Sequence, residues 1–307
     1  MLLNILKRIL QALVVLIGVA LLIFIMLRIV PGNAIITMMG EHANPEAIER
    51  MTAELGLDKP LYVQFFTYIT GALRGDFGTS YSLHVSVSSL IAQAFPNTVC
   101  LALAAAVVAW LIGIVCGIIA AIKENSLLDR LFMGFSLFGV SMPVFMVAMV
   151  LQYLLAYKLH WFDISGISDW RGFVLPAIAL GWNSAGSIAR LTRSTLVEVL
   201  QEDYIDTARA KGRRRMGVIL FHALRNSMLP VITMMAVQLS SLLSGAVICE
   251  TIFSINGIGR LAVDAISGRD IPLLQGTILL STALVILGNL LADCLYSVLD
   301  PRVRKGA

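Results

Sequence analysis

Six long apolar runs constrain the fold of this chain more than any other feature. A helix needs roughly 20 apolar residues to cross the hydrocarbon core of a bilayer. Backbone groups in lipid must be satisfied within their own segment, and these runs lack the alternation of barrel strands, so they predict helices. We therefore expect an all-α integral membrane protein with about six transmembrane helices. The runs lie at about residues 9–30, 98–122, 131–157, 173–189, 228–252 and 274–298.

The composition supports lipid as the main solvent of the chain. Of the 307 residues, 58% are hydrophobic and 14% are charged, whereas soluble domains carry about 25% charged residues. The first run is longer than the roughly 7–15 apolar residues of a signal peptide, so we expect it to be retained as a helix. The run at 173–189 is the weakest, because it is short and contains Asn183.

The distribution of lysine and arginine predicts the orientation of the chain. These residues are more frequent before the first run, between the second and third, at 190–227 and after the last run than in the remaining connections. Because cytoplasmic loops are enriched in basic residues, we expect both termini in the cytoplasm. A single transmembrane domain over residues 1–307 would then carry an outer segment at 31–97 and a cytoplasmic loop at 190–227.

Several functional classes are disfavoured by motifs that the sequence lacks. There is no phosphate loop of the form GxxxxGK[ST], no HExxH and no GxSxG, and the four histidines and four cysteines form no metal-ligand spacing. We expect no enzyme activity, cofactor or metal on this chain. The net charge of +4 comes without a basic stripe interleaved with aromatics, so we expect no nucleic-acid partner. A self-sufficient channel or secondary carrier remains an alternative.

The loop at 190–227 is the most informative region outside the apolar runs. Its middle section is helix-prone and ends at Gly212, as a helix followed by a C′ glycine would. Three arginines follow, close to the helix C-terminus, where positive charge is favoured. The residues alone leave two interpretations open: a rigid helix-turn that projects from the spans, or a solvated basic loop that only fixes the topology.

The residue order in this loop resembles the EAA loop of ABC importer permeases. Asp206, Thr207, Ala208 and Gly212 stand where that family has Glu, Ala, Ala and Gly. The stretch from Tyr204 to Gly212 is similar to the form found in the dipeptide, oligopeptide and nickel permease subfamily. Motifs of the same subfamily lie at 28–32, 55–60, 75–80, 141–143, 250–253, 257–260, 269–270 and 300–302.

The resemblance implies a fold, a location and a set of partners. It implies the type I ABC importer permease fold in the bacterial cytoplasmic (inner) membrane, moving a peptide-like solute inward by alternating access. Nickel or a metal chelate, glutathione or another small solute are alternatives. Two partner ATPase subunits would bind ATP and Mg, while a sister permease completes the pathway and an extracytoplasmic binding protein delivers the solute.

Two sets of residues are candidates for function. The resemblance implies that the loop couples ATP hydrolysis to transport through Asp203, Tyr204, Asp206, Thr207, Ala208, Arg209, Ala210, Lys211 and Gly212. Candidates for the translocation path or its gate are Pro143, Asn183 and Glu250.

Each path candidate also has a structural interpretation. Pro143 would bend its helix whether or not the bend acts as a gate. Asn183 could line the path or bond across helices, and Glu250 could face the path or pair with Arg260. A separate pair, Gly113 and Gly117, has the GxxxG spacing that favours close helix packing.

Overall fold

The computed structural model describes residues 2–29, 44–54 and 56–299, and nearly all of them are helical. The single extended contact in these ranges is an isolated bridge between Thr79 and Ser86. The α-helices are α1 Leu2–Ile29, α2 Pro45–Glu54, α3 Leu61–Leu73, α4 Val87–Ile122, α5 Leu127–Ser141, α6 Val144–Leu151, α7 Val174–Leu200, α8 Asp203–Ala210, α9 Arg215–Val218, α10 Leu224–Ile252, α11 Ile258–Ser267 and α12 Ile271–Leu299. Two π-helical segments, Gln152–Lys158 and Ile219–Ala223, extend α6 and join α9 to α10, and a short 3₁₀ turn, Trp170–Phe173, precedes α7.

The expected number of membrane spans is confirmed within the described part of the chain. Five stretches are long and apolar enough to cross a bilayer, and a bent pair of helices brings the number to six. The five are Lys7–Ile29, Val87–Ile122, Trp170–Leu200, Arg215–Leu243 and Ile271–Ala292, and the bent pair is Leu127–Ser141 with Val144–Lys158. The all-α prediction is therefore correct.

The weakest apolar run is part of a 27-residue helix, α7. Its Pro176 lies in the first turn, where the missing N–H leaves no intrahelical bond unmade. More of this span is buried inside the protein than of any other unbroken candidate. A helix that packs mainly against protein needs fewer lipid-compatible side chains, which explains why its apolar run is short.

The third run is broken at Pro143, as its proline predicts. Met142 has extended dihedrals, φ −81° and ψ 130°, and Pro143 caps the start of α6. A residue before proline is pushed away from helical dihedrals, because the proline ring crowds it. The two halves of the run are bent by 105°.

The chain divides into two compact units. The first combines Met1–Thr98 with Asn256–Ile286, and the second combines Val99–Ile255 with Leu287–Ala307. In the second unit, a Cβ on Gly113 would lie 2.8 Å from the carbonyl oxygen of Ala185, and one on Gly117 would lie 2.6 Å from that of Ala189. The GxxxG pair therefore packs directly on α7, as expected.

In the first unit, a buried carboxylate fastens the loop before α4 to the start of α12. Asp270 caps α12 by accepting a hydrogen bond from the backbone N–H of Leu273 (3.2 Å). Its other oxygen accepts from Ser80 Oγ (2.5 Å) and from Ser82 Oγ (2.8 Å) and N (3.0 Å). Burial raises the pKa of this carboxyl, but the hydrogen bonds from Ser80, Ser82 and the backbone of Tyr81 outweigh it, so the pKa lies below its ordinary value of 3.8.

Replacing Asp270 with asparagine should lower stability in a pH-dependent way. A lowered folded-state pKa means that the ionised Asp270 stabilises the protein above pH 3.8 and that this stabilisation is lost as the pH falls through the lowered value. We expect a loss of about 2 kcal/mol at neutral pH, since hydrogen bonds to a charged group are replaced by weaker ones. Thermal unfolding of the purified protein from pH 3.5 to pH 8 measures this difference, which should shrink at the acid end.

The exposed Asp58 of the same unit offers a matched control. Asp58→Asn removes the same charge without breaking a buried hydrogen-bond network and should leave the unfolding temperature within about 1 °C of the wild type at all pH values, since surface substitutions cost little. If the loss of stability in Asp270→Asn stayed constant down to pH 3.5, stability would not depend on the ionisation of Asp270, and the prediction would be wrong.

Candidate functional site

The loop at 190–227 folds into a short helix, α8, held between the end of α7 and the start of α9. Asp203 and Asp206 lie in its first turn and Arg209 in its last, where their charges oppose the helix dipole. Asp206 and Arg209 also form an ion pair of 3.0 Å. Both side chains are more than half exposed, at 71% and 51%, so this pair contributes little to stability.

One side chain anchors α8 to the rest of the second unit. Ile205 is fully buried and belongs to a cluster that also contains Ala121 of α4, Leu196 of α7 and Val218 of α9. Ala208 packs against the same cluster from the next turn. Ile205 was not among the predicted site residues, although it is the single aliphatic side chain larger than alanine in this helix.

The opposite face of α8 is open. Tyr204 is 40% exposed, and its hydroxyl accepts a hydrogen bond from Asn226 Nδ2 at 2.8 Å. Thr207 and Ala210 are also exposed, together with Lys211 immediately after the helix. The predicted loop residues up to Ala210 therefore lie on one short amphipathic helix, in which Ile205 and Ala208 pack inward and the other residues face outward.

Gly212 ends the helix in the predicted C′ position. Its φ is +77°, in the left-handed region, and its N–H donates to the carbonyl oxygen of Arg209 at 3.0 Å. A Cβ added at this position would meet no atom within 4 Å. Glycine is therefore favoured here by the left-handed backbone conformation of the turn and not by lack of space.

A bidentate ion pair connects α7, the helix that precedes α8, to the start of α5. The sequence patterns did not predict this ion pair. Arg193, in the last two turns of α7, donates from Nε to Asp129 Oδ1 (2.5 Å) and from a terminal nitrogen to Asp129 Oδ2 (2.7 Å). The backbone N–H of Asn125 also donates to this carboxylate (2.9 Å). Two parallel bonds fix orientation as well as distance, so the start of α5 and the end of α7 are held in register.

Two of the three path candidates belong to one local feature. In an unbroken helix the N–H of residue 144 would donate to the carbonyl oxygen of Val140, but the break at Pro143 prevents this bond. Asn183 of α7 fills the position, because its Nδ2 donates to Val140 O at 3.0 Å. Asn183 therefore bonds across helices, which is one of its two predicted roles, and satisfies a carbonyl freed by the proline.

The third candidate, Glu250, lies in the last turn of α10 and is fully buried. Its backbone carbonyl accepts from the N–H of Ile255 at 2.8 Å, which closes the turn after the helix. Its predicted pairing with Arg260 would join residues of different units and stays a prediction.

Metal ligation finds no support in the described residues. They contain no group of three or more His, Cys, Asp and Glu side chains able to hold an ion. Cys100, Cys116 and Cys249 are free thiols, and the side chain of Cys294 lies outside the described part of the structure. Cys100 is exposed, and a small apolar thiol is compatible with a span surface in lipid.

The chain matches known membrane transport proteins over almost its whole length. Residues 113–305 match the family model described as "Binding-protein-dependent transport system inner membrane component", and residues 1–102 match the model of the corresponding N-terminal region. The glutathione transport system permease protein GsiC of Salmonella paratyphi A is 41% identical over 300 residues, covering 98% of both chains. Its counterpart in Escherichia coli strain K12 is 40% identical with the same coverage.

Solved structures of transporters share the fold. The inward-facing MetNI methionine ABC transporter superposes with a TM-score of 0.60 at 16% identity, covering 69% of this chain and 96% of that one. An amino acid ABC transporter crystallised with histidines gives a TM-score of 0.55 at 12% identity, covering 68% and 94%. At these identities the likeness concerns the fold alone.

Proposed function

This chain belongs to the family of binding-protein-dependent transport system inner membrane components, and on that premise we propose that it carries a peptide-like solute, with glutathione as the first candidate. It is a multi-pass inner-membrane permease subunit of an ABC importer, with the type I importer fold. It is not an enzyme, since ATP hydrolysis belongs to separate chains. Family membership also decides against a self-sufficient channel or carrier.

The choice of solute rests on one observation. Proteins that match 98% of this chain at 40–41% identity are named as glutathione permeases. Glutathione is a small peptide, which agrees with the peptide-like solute implied by the motifs. Nickel or a metal chelate is less well supported, because the described residues offer no metal-binding cluster.

The partners follow from the premise. ATPase subunits and a binding protein belong to importers of this family. We further propose two ATPase subunits, which bind ATP and Mg, and a sister permease that forms the other half of the pathway. The predicted orientation, with both termini and the 190–227 loop in the cytoplasm, places α8 on the side where ATP is available.

Helix α8 is the proposed coupling element. Its buried Ile205 packs against residues of α4, α7 and α9. A displacement of α8 is therefore transmitted to the spans by direct packing and not through a flexible linker. The outward-facing residues of α8 between Asp203 and Lys211 are the proposed contact with an ATPase subunit. Gly212 determines the direction in which the chain leaves the helix. Small rigid helices transmit displacement as units.

The path residues have different proposed roles. Pro143 and Asn183 form a hinge at the 105° break, in which Asn183 replaces the missing backbone bond. Glu250 is proposed as a polar group at the edge of the path. The segment 31–97 is the proposed docking surface for the binding protein, and its residues 31–43 and 55 lie outside the described part of the structure.

Reconstitution tests this proposal. The complete transporter, with its binding protein outside and ATP inside proteoliposomes, should accumulate radiolabelled glutathione, and accumulation should stop without ATP or without the binding protein. A dipeptide and a nickel chelate are the comparison solutes. If the transporter took up the nickel chelate but neither glutathione nor the dipeptide, the proposal of a peptide-like solute would be contradicted.

A further inference from the structure

An apolar groove in the first unit has no part in the roles described so far. It lies between the C-terminal part of α1 and the N-terminal part of α3, and its volume is about 410 Å³. This volume is within the range of roughly 300–1,000 Å³ typical of small-molecule sites. Among the described residues that line it, Arg28 carries a charge, and the others are the aliphatic or aromatic side chains Leu21, Phe24, Ile25, Ile29, Leu61, Tyr62, Phe65 and Phe66.

Helix α3 has the length and composition of a helix that lies at a membrane surface. It is predominantly apolar but has only 13 residues, whereas a helix needs roughly 20 to cross the hydrocarbon core. The structure describes all 13, and none of them is buried. Tyr62 and Phe66 are more than half exposed, and aromatic side chains of this kind are enriched at the level of lipid headgroups. Because α1 is itself a candidate membrane span, we expect the groove between the two helices to face lipid.

The guanidinium of Arg28 is held in one orientation at the end of this groove. It donates to the carbonyl oxygen of Phe24 at 3.2 Å and to Gln64 Oε1 at 2.6 Å. Its central carbon lies 3.4 Å from the centre of the Phe24 ring. Gln64 is fixed in turn, because its Nε2 donates to the carbonyl oxygens of Leu57 (3.1 Å) and Lys59 (2.8 Å). A preformed site loses less entropy when it binds a ligand.

The charge of Arg28 is not balanced by the two groups that it contacts. Both acceptors are neutral oxygens, one of a carbonyl and one of an amide. A guanidinium has more N–H donors than these two bonds use, and its planar shape matches a phosphate group. A phospholipid combines a phosphate with acyl chains, so it complements both the charge and the apolar walls. In a zwitterionic lipid the headgroup ammonium would also approach Arg28 and be repelled, whereas an anionic headgroup avoids this contact.

We propose that this groove binds one anionic phospholipid, with an acyl chain between α1 and α3 and the phosphate at Arg28. The predicted orientation, with both termini in the cytoplasm, assigns this lipid to the outer leaflet. The bound chain fills the space between the two helices and keeps α3 at the membrane surface. This inference goes beyond the proposed function and does not depend on which solute is carried.

Photochemical labelling of the complete transporter tests this site. The probe is a phosphatidylglycerol with a photoactivatable diazirine in its acyl chain, added to the solubilised transporter, and labelled peptides are identified by mass spectrometry. We expect labelling of residues 21–29 and 61–66. Unlabelled phosphatidylglycerol should suppress it at about fivefold lower concentration than phosphatidylcholine with the same acyl chains, since one basic residue near an anionic lipid contributes an affinity factor of this size.

Two pairs of variants separate the charge of the site from its shape. Arg28→Gln should bring the two competing lipids to within twofold of each other, whereas Arg74→Gln, which removes an exposed charge outside the groove of the same unit, should keep the fivefold difference. Ile25→Trp places a large ring in the groove and should lower labelling at least fivefold. Met26→Trp adds the same ring at a neighbouring exposed position that does not line the groove, so labelling should match the wild type.

Three outcomes would overturn this inference. Equal competition by the two lipids in the wild type would show that the site does not select an anionic headgroup. Undiminished labelling in Ile25→Trp would place the lipid outside the groove, and this variant keeps Arg28 and its bonds, so the result stands even if Arg28→Gln displaces α3. If the wild type were not labelled at residues 21–29 and 61–66, the groove would be covered by protein, such as the sister permease, and not by lipid.

Discussion

Replacing Gly212 with valine should uncouple ATP hydrolysis from transport while the chain remains inserted and assembled. The left-handed φ of +77° is a genuine outlier for a β-branched residue and costs about 1–2 kcal/mol. Since no atom lies within 4 Å of the added Cβ, the strain comes from the backbone conformation, and the turn itself must change. The C-terminus of α8 and the outward residues near it would then be presented differently to the ATPase subunit.

The informative quantity is solute imported per ATP hydrolysed in proteoliposomes. We expect this ratio to fall at least tenfold in Gly212→Val, because a displacement of about 1 Å in a rigid contact is enough to disrupt function. Gly212→Asn is the conservative comparison, since asparagine enters the left-handed region more readily than other non-glycine residues. It should retain most of the coupling.

A second glycine of the same loop controls for the added side chain. Gly217 lies in α9, has no left-handed φ and has no neighbour within 4 Å of an added Cβ. Gly217→Val should therefore keep a nearly normal ratio. Normal coupling in Gly212→Val, or an equal loss in Gly217→Val, would refute the assignment of Gly212 to the coupling turn.

The part of this loop that sequence could predict is the part governed by local rules. A C′ glycine followed by arginines identifies the end of a helix, because left-handed φ and helix-terminal charge are local requirements. The anchoring of α8 through Ile205 and the brace between Asp129 and Arg193 depend on residues far apart in the chain. No local pattern reports which distant side chain a residue will meet.

The spans show the same division between local and non-local information. Hydropathy located the runs, because lipid-facing helices must be apolar along their whole length. Hydropathy underestimated the length of α7, because this helix packs largely against protein and carries Asn183 and Arg193 within its 27 residues. The break at Pro143 was predictable from proline chemistry, whereas the bond from Asn183 that satisfies Val140 was one of two alternatives.

The packing of α4 on α7 leads to the second large expected effect. Replacing Gly117 with leucine should prevent the second unit from folding stably. The first added atom would lie 2.6 Å from both the carbonyl oxygen of Ala189 and the Cβ of Thr192. Because a backbone atom cannot move aside alone, α4 and α7 would have to separate along their contact. We expect a cost of about 3 kcal/mol or more, the upper range for overpacked cores.

The same substitution at Gly134 separates this steric effect from the mere presence of leucine in a span. Gly134 lies in α5, is exposed and has no atom within 4 Å of an added Cβ, so Gly134→Leu should place its side chain in lipid at little cost. Size-exclusion profiles and thermal midpoints of the solubilised transporter measure both variants. Gly117→Leu should give little monodisperse protein with a lowered midpoint, and Gly134→Leu should match the wild type. If Gly117→Leu proved as stable as Gly134→Leu, then α4 and α7 would not pack at the distance of closest approach, and the close helix contact inferred from the GxxxG spacing would be wrong.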